Sequence, residues 1–295
     1  MTNSRLSFAV ASAFLFCAAA QQTTGPLSIP RSGNPAIAAR VAQRSAGTTR
    51  NAYIFSTAVV FPQLAVGSGT GESWQTSFVI VNMSGSAVTF GMRFFDNDGA
   101  PMTVSFTTGK AVPAASDVGL TATLAAFGST TITVYDDGQA LRTGWAIIEP
   151  PSDTIRLGGY AVFRQTVPGR PVFESVVPLC DYDDYASFMP FNNASGIDTG
   201  MALVNPSSSL DTTVYLVFLD ETGATMFEES FTLKPKEHTS FSLTTKYPAL
   251  AGKTGTVYVE GSSDYLSALG LRFNLAGGGA FTSLPVMNWA GMYQQ

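Results

Sequence analysis

Residues 94–102 read FFDNDGAPM, and residues 218–226 read FLDETGATM. Five of the nine positions are identical, at an offset of 124. Further pairs occur in the same order. WQTSFVIVN (74–82) answers IDTGMALVN (197–205) at offset 123, and TGWAIIE (143–149) answers TGTVYVE (254–260) at offset 111. GGYAVFRQ (158–165) answers SALGLRFN (267–274) at offset 109, and FES (173–175) answers FTS (281–283), each soon followed by a proline, Pro178 or Pro285. Ordered matches of this kind predict an internal duplication. The falling offset places extra residues in the first copy, between Met102 and Leu124. That segment is polar, rich in Gly and Ala and contains Pro113, so it is expected as a long loop or an added hairpin.

Within each copy the apolar period is two. Val88, Phe90, Met92 and Phe94 alternate with Thr89, Gly91 and Arg93. Val214, Leu216 and Phe218 recur in the second copy, where Tyr215, Val217 and Leu219 make the other face apolar as well. Period two means strands. Short strands bounded every 8 to 12 residues by Asn, Asp, Gly, Ser or Pro are the pattern of a sandwich, and each copy is near the size of an immunoglobulin-like one. The expected fold is all-β: two tandem immunoglobulin-like β-sandwich domains after a signal peptide and a flexible leader. The boundaries read 1–20 for the signal peptide, 21–52 for the leader, 53–180 for domain 1, 181–184 for an acidic joint, 185–289 for domain 2 and 290–295 for a tail.

VFPQLAVG with WQTSFVIVN, FFDNDGAPM, TGWAIIE, GYAVFRQ and LGLRFN with GAFTSLPV together resemble tandem β-sandwich modules of secreted bacterial proteins. The resemblance covers nearly all of 55–288. It implies the fold and export, and it transfers no active site.

Composition agrees with a folded, exported chain. Of 295 residues, 45% are hydrophobic and 13% charged, enough apolar surface to bury a core. Arg5, the apolar run Leu6–Phe16 and Ala18-Ala19-Ala20 read as a signal peptide cut before Gln21. Cys17 leaves with it; Phe16 before it is too large for a lipidation signal. Cys180 is then the sole cysteine of the mature chain, expected as a small half-buried hydrophobe. No later apolar run is long enough to span a bilayer, so no membrane span is expected in the mature chain. Arg31, Arg40, Arg44 and Arg50 make the leader basic, and Ala36 to Ala46 has the composition of one short helix. Residues 51–295 carry 11 basic against 21 acidic residues, a net of −10, which disfavours nucleic acid as a partner.

The chemistry-bearing residues are few. Asp96-Asn97-Asp98-Gly99 resembles the front of a calcium loop, but its second copy, Asp220-Glu221-Thr222-Gly223, loses the second carboxylate. What both keep, Asp and then Gly three residues on, is what a hairpin turn needs. Asp181, Asp183 and Asp184 in the joint are the better candidates for Ca²⁺, against the plainer reading of a solvated linker. The single histidine, His238, with no cysteine pair, excludes a His-rich zinc site, and no nucleophile elbow supports a hydrolase triad. Gly277-Gly278-Gly279 reads as a hairpin loop. Glu149 and Glu260 occupy equivalent places in separate copies, so they are not expected to face one substrate. Asn82 and Asn193 head glycosylation-like triplets that carry no information in a bacterial chain.

Trp74 and Trp145, whose counterparts are Ile197 and Thr256, are the candidate ligand-binding residues, as exposed rings for a sugar. The competing reading buries Trp145 under the extra loop of the first copy. Arg164 has Phe273 as counterpart, so that position is not a shared charged site. The leading expectation is an exported, non-catalytic cell-surface or extracellular binding or structural module, with a polysaccharide or a cell-surface protein as partner. A carbohydrate-binding module is the alternative; a glycoside hydrolase is the reading least favoured. No cofactor is expected beyond Ca²⁺ at the joint.

Overall fold

The computed structural model describes residues 58–109, 115–149, 157–181, 186–263, 265–284 and 286–288. The signal peptide, the leader with its short helix, the tail, Cys17, Asp183 and Asp184 lie outside these, as does the side chain of Asp181.

The alternation in the sequence becomes strands throughout. The first set is β1 (Val59–Gly69), β2 (Glu72–Asn82), β3 (Val88–Asp96), β4 (Val104–Thr108), β5 (Ala115–Asp117), β6 (Gly119–Leu124), β7 (Ser129–Val134), β8 (Arg142–Glu149), β9 (Leu157–Thr166), β10 (Phe173–Pro178) and β11 (Cys180–Asp181). The second is β12 (Ala186–Asn192), β13 (Ile197–Val204), β14 (Thr212–Leu219), β15 (Thr225–Leu233), β16 (His238–Ser242), β17 (Thr254–Gly261), β18 (Ser267–Asn274), β19 (Ala280–Leu284) and β20 (Met287–Asn288). One turn of helix, α1 (Leu243–Lys246), follows β16 with Ser242 as its cap.

In the first set, one layer runs β11-β1-β8-β3-β6 and the other β10-β9-β2-β7-β4-β5, all antiparallel, and the end of β1 crosses over to pair with β2, joining the two into one eleven-stranded sheet. In the second set the layers run β20-β12-β17-β14-β15 and β19-β18-β13-β16. The shared order extends to register. Phe95 stands opposite Trp145, and Leu219 stands opposite Thr256. Phe78 stands opposite Ala161, and Met201 opposite Gly270. These pairs keep the offsets read from the sequence. One match does not: Phe173 faces Gln165, whose counterpart Asn274 faces Ala280, so FES and FTS are one residue out of step. A slip of one residue reverses the face a side chain presents. The residues of the first set that have no match in the second form β4 and β5, which extend the β7 edge of one layer, while β6 occupies the place that β15 has beside β14.

Three local devices occur in both sets. The Thr76 hydroxyl clamps the backbone N–H and C=O of Ala65, and the Thr199 hydroxyl does the same to Asn192. The Asn82 amide donates to the carbonyls of Ser86 and Ala125, and the Asn205 amide to those of Leu210, Leu233 and Lys234. Their side-chain oxygens accept from Ser84 and Ser207. Third, Gly144 and Gly255 sit where a Cβ would strike the carbonyls of Phe95 and Leu219 across the strand pair.

Each set has a core between its layers. Phe61, Phe78, Phe90, Phe94 and Phe163 fill the first; Phe191, Leu216, Phe218 and Val257 fill the second. The first core does not stop at its own strands. It continues onto Ala202, Leu269, Leu271, Phe273 and Phe281, the outward face of the β16-β13-β18-β19 layer.

Asn205 satisfies three carbonyls and holds the β15–β16 turn, whereas Asn82 satisfies two. Leaving a buried carbonyl without a donor costs about 1–3 kcal/mol. Asn205→Ala is therefore expected to lower unfolding stability by about 3 kcal/mol, and more than Asn82→Ala does, in urea denaturation followed by tryptophan fluorescence.

Candidate functional site

The Asp96–Gly99 turn shows how its residues divide their work. Asp96 Oδ1 accepts from the N–H groups of Asp98 (3.0 Å) and Ala100 (2.8 Å), and Gly99 takes φ +80°. Asp220 does the same for Thr222 (2.8 Å) and Ala224 (3.0 Å), with Gly223 at φ +81°. The hydroxyl of Thr222 and these N–H groups hold the exposed Asp220 carboxyl below the usual range. Both carboxylates cap their own turns: Asp220 closes the β14–β15 hairpin, whereas the Asp96 turn is held by the single Phe95–Pro101 bridge before the chain passes to β4 beside β7. Among the described residues no cluster of three His, Cys, Asp or Glu side chains is placed to hold a metal ion.

Asn97, which the turn itself does not use, reaches across to the second set. Its backbone carbonyl accepts from the His238 N–H at 2.9 Å, and its Oδ1 lies 2.8 Å from His238 Nδ1. Its amide donates to Thr143 Oγ1 at 3.1 Å. Beside it the Trp145 indole N–H donates to the carbonyl of Lys236 at 2.9 Å. Trp145 stacks on Phe95 with centroids 4.8 Å apart, and the Lys236 ammonium lies 5.0 Å from the Phe95 ring centre. The tip of the β15–β16 turn, Lys234-Pro235-Lys236-Glu237, thus sits in a seat made by the outward face of β3 and β8. Gly99 belongs to that seat, since a Cβ there would come within 2.9 Å of Lys236.

Both candidate tryptophans are interior. Trp145 is 0% exposed and Trp74 is 3% exposed. Trp145 lies under the second set's turn, not under the extra segment of the first copy. Trp74 stacks on Phe281 at 5.4 Å. Neither ring offers a face to a sugar, so the exposed-platform expectation is corrected. The cause is the contact between the two sets, which the apolar outer face of β14 does not foretell, since the contact is made by β13, β18 and β19.

His238 is buried in the same contact. Burial pushes its imidazole down to about 3, against a smaller opposing pull from the Pro62 carbonyl. Its Nε2 makes no hydrogen bond of good geometry. A neutral ring with Nδ1–H donating to Asn97 Oδ1 satisfies this environment.

Glu72, also interior, accepts from the Gln165 amide, and burial raises its carboxyl despite that bond. Its Oε1 has no partner. Glu149 pairs with Arg93 on the surface, and Glu260 is buried in β17 of the other set, so the two carboxylates are not brought together. Arg164 pairs with Glu174 at the surface, where such pairs contribute little. Cys180 is half-buried, its sulfur 3.9 Å from the Ala268 carbonyl.

The second set carries an open cleft of about 580 Å³, lined by Phe188, Leu219, Asp220, Glu221, Gly223 and Thr256 among others. By register this is the counterpart of the seat in the first set, Leu219 standing for Phe95 and Thr256 for Trp145. Phe95, Thr143, Gly144 and Trp145 are buried; Leu219, Thr254, Gly255 and Thr256 are half-exposed. A Cβ on Gly223 would meet nothing within 4 Å.

No family model and no curated protein matches this chain. Among the described residues no helix is long and apolar enough to cross a membrane.

Trp145→Ala removes a fully buried ring and the donor to Lys236. It is expected to destabilise by about 3–5 kcal/mol and to split a single calorimetric unfolding transition into two. Acid should weaken the same contact. The unfolded chain takes up a proton on His238 near pH 6.5, and the folded chain refuses it down to about 3. Stability is therefore complete above pH 6.5 and falls as pH drops, by up to about 1.4 kcal/mol per pH unit. Glu72, raised in the fold, acts oppositely: its contribution is present below its ordinary 4.5 and lost as pH rises. The difference between wild-type and His238→Gln stability curves isolates the histidine, and wild type should lose stability relative to His238→Gln as the pH falls from 7 to 4.

Proposed function

We propose that this protein is an exported, non-catalytic structural or binding module built from two copies of one immunoglobulin-like sandwich. The duplication is supported by the common strand order, the matching registers and the paired Thr, Asn and Gly devices. Export is supported by Arg5, the apolar run Leu6–Phe16 and the small residues Ala18 to Ala20.

One observation carries the non-catalytic reading. An active site brings perturbed ionisable groups to a cleft where substrate can enter. Here the perturbed interior groups and the open cleft do not coincide. His238 is enclosed between the two sets and Glu72 is covered beside Gln165 and Trp74. Of the two carboxylates at the cleft, Asp220 closes its own turn and Glu221 accepts from Thr254 Oγ1 at 2.7 Å. The cleft has apolar walls in Phe188 and Leu219 and backbone-rich edges at Gly223 and Gly255. Such a surface suits a protein partner at a sheet face. The sugar-binding alternative loses its support with the burial of Trp74 and Trp145.

The test is a broad panel of polysaccharide, glycoside and ester substrates. No turnover above a heat-denatured control is expected. Turnover abolished by substituting a single acid, Glu72→Gln or Glu221→Gln, would overturn the proposal.

A further inference from the structure

The contact between the two sets has a turn on one side and a seat on the other. Both parts recur in the molecule. The counterpart of the docked turn is Ala125-Ala126-Phe127-Gly128 of the first set. The two turns close alike: Gly128 N–H donates to Ala125 O at 2.9 Å, and Glu237 N–H donates to Lys234 O at 3.0 Å. Both are strung from the same asparagine, Asn82 in one and Asn205 in the other. At the tip of each stands a non-glycine residue in the left-handed region, Phe127 at φ +56° and Lys236 at φ +66°. Such a conformation is uncommon for a bulky side chain. Lys236 is docked on Trp145 and Phe95. Phe127 is 73% exposed, the most exposed large apolar side chain among the described residues.

The counterpart of the seat is the open cleft beside Leu219, Gly223 and Thr256. Each chain thus shows one unused turn on its first half and one unused seat on its second. We propose that the protein associates with further copies of itself head to tail, the Phe127 turn of one copy entering the Leu219–Thr256 cleft of the next. This rests on the structural-module reading above and supplies its partner.

The side chains are complementary in size and chemistry. Inside the chain a large seat residue, Trp145, meets a tip whose side chain swings aside over Phe95. Between chains the seat residue is the small Thr256, and the room it leaves suits the ring of Phe127. Ser129, the counterpart of His238, comes opposite Glu221, the counterpart of Asn97: a hydroxyl donor facing a carboxylate acceptor.

The surroundings fit as well. Inside the chain the outward face of β18 and β19 covers β1 and β10. The corresponding outward face of β9 and β10 exposes Tyr160 and Val176. In the next copy it would lie along β12 and β19, and Met287 of β20, paired to β12, is exposed there. This face also carries the Arg164–Glu174 pair in place of apolar Phe273, so the contact between chains is weaker than the one within. A turn-into-seat contact is heterologous, and repeated without closure it builds an open chain of copies.

The test is sedimentation velocity of the full chain over a range of concentrations. Wild type is expected to give an open series of dimer, trimer and longer species. Phe127→Asp spoils the turn and Thr256→Trp fills the seat; both sites are on the surface, and each variant alone should be monomeric. Mixed together they should form a dimer and nothing larger, since Phe127→Asp keeps its seat and Thr256→Trp keeps its turn. A wild type monomeric to its solubility limit, association surviving either substitution, or a mixture that fails to pair would each overturn the inference. A monomer without enzymatic activity would remove this inference and leave the structural-module reading standing.

Discussion

The constraint on which the structure depends is the outward face of the β16-β13-β18-β19 layer. Ala202, Leu269, Leu271, Phe273 and Phe281 form a continuous apolar surface that no strand of the second set can cover. Left in water it would cost the hydrophobic free energy of several large side chains, each worth about 1.5–3 kcal/mol when buried. The first set covers it with β1 and β10. The two halves therefore fold onto one shared core and are not beads on a string. The acidic joint 181–184 links two bodies that touch along a strand face.

The polar groups in this contact follow from that burial. Once the apolar face is closed, the tip of the β15–β16 turn is closed in too, and its backbone must find partners away from water. Lys236 O takes the indole N–H of Trp145, and the His238 N–H takes the carbonyl of Asn97. His238 is held neutral because a charged imidazole has no counter-ion there; its neighbour is an amide. A buried histidine and a buried tryptophan, residues that in a cleft would suggest chemistry or ligand binding, are here the polar lining of an apolar seal.

What the sequence made legible and what it hid divide along one line. The likenesses between the two halves record their common strand order: Asp and Gly of the turn, the alternation of β3 and β14, the asparagine that ends β2 and the one that follows β13. These positions answer to local geometry, which is the same in both halves. The differences record the contact. Trp145 against Thr256, Phe273 against Arg164 and Lys236 against Phe127 are positions where one copy is covered and the other is not. Alignment alone gives a difference no direction, so Trp145 reads equally well as an exposed platform or a buried anchor. The FES–FTS match misleads for a related reason. Identity of letters aligned Phe281 with Phe173, but register puts Ala280 there, and the slip turns Phe281 outward onto Trp74.

The Asp96–Gly99 turn joins both levels. Its Asp and Gly make the turn, as Asp220 and Gly223 make the turn of the β14–β15 hairpin. Its Asn97 makes the contact, and the second copy has Glu221 instead. Metal binding would have needed the side chains that differ, Asn97 and Asp98, to act together with Asp96 on one ion. The structure gives them separate tasks: Asp96 turns inward to the backbone, and Asn97 turns outward to His238. One four-residue stretch thus closes a strand pair and carries the seat for another half. The same economy explains why a tight turn so rich in carboxylates and amides is not an ion site: its acceptors face N–H groups that the chain itself supplies.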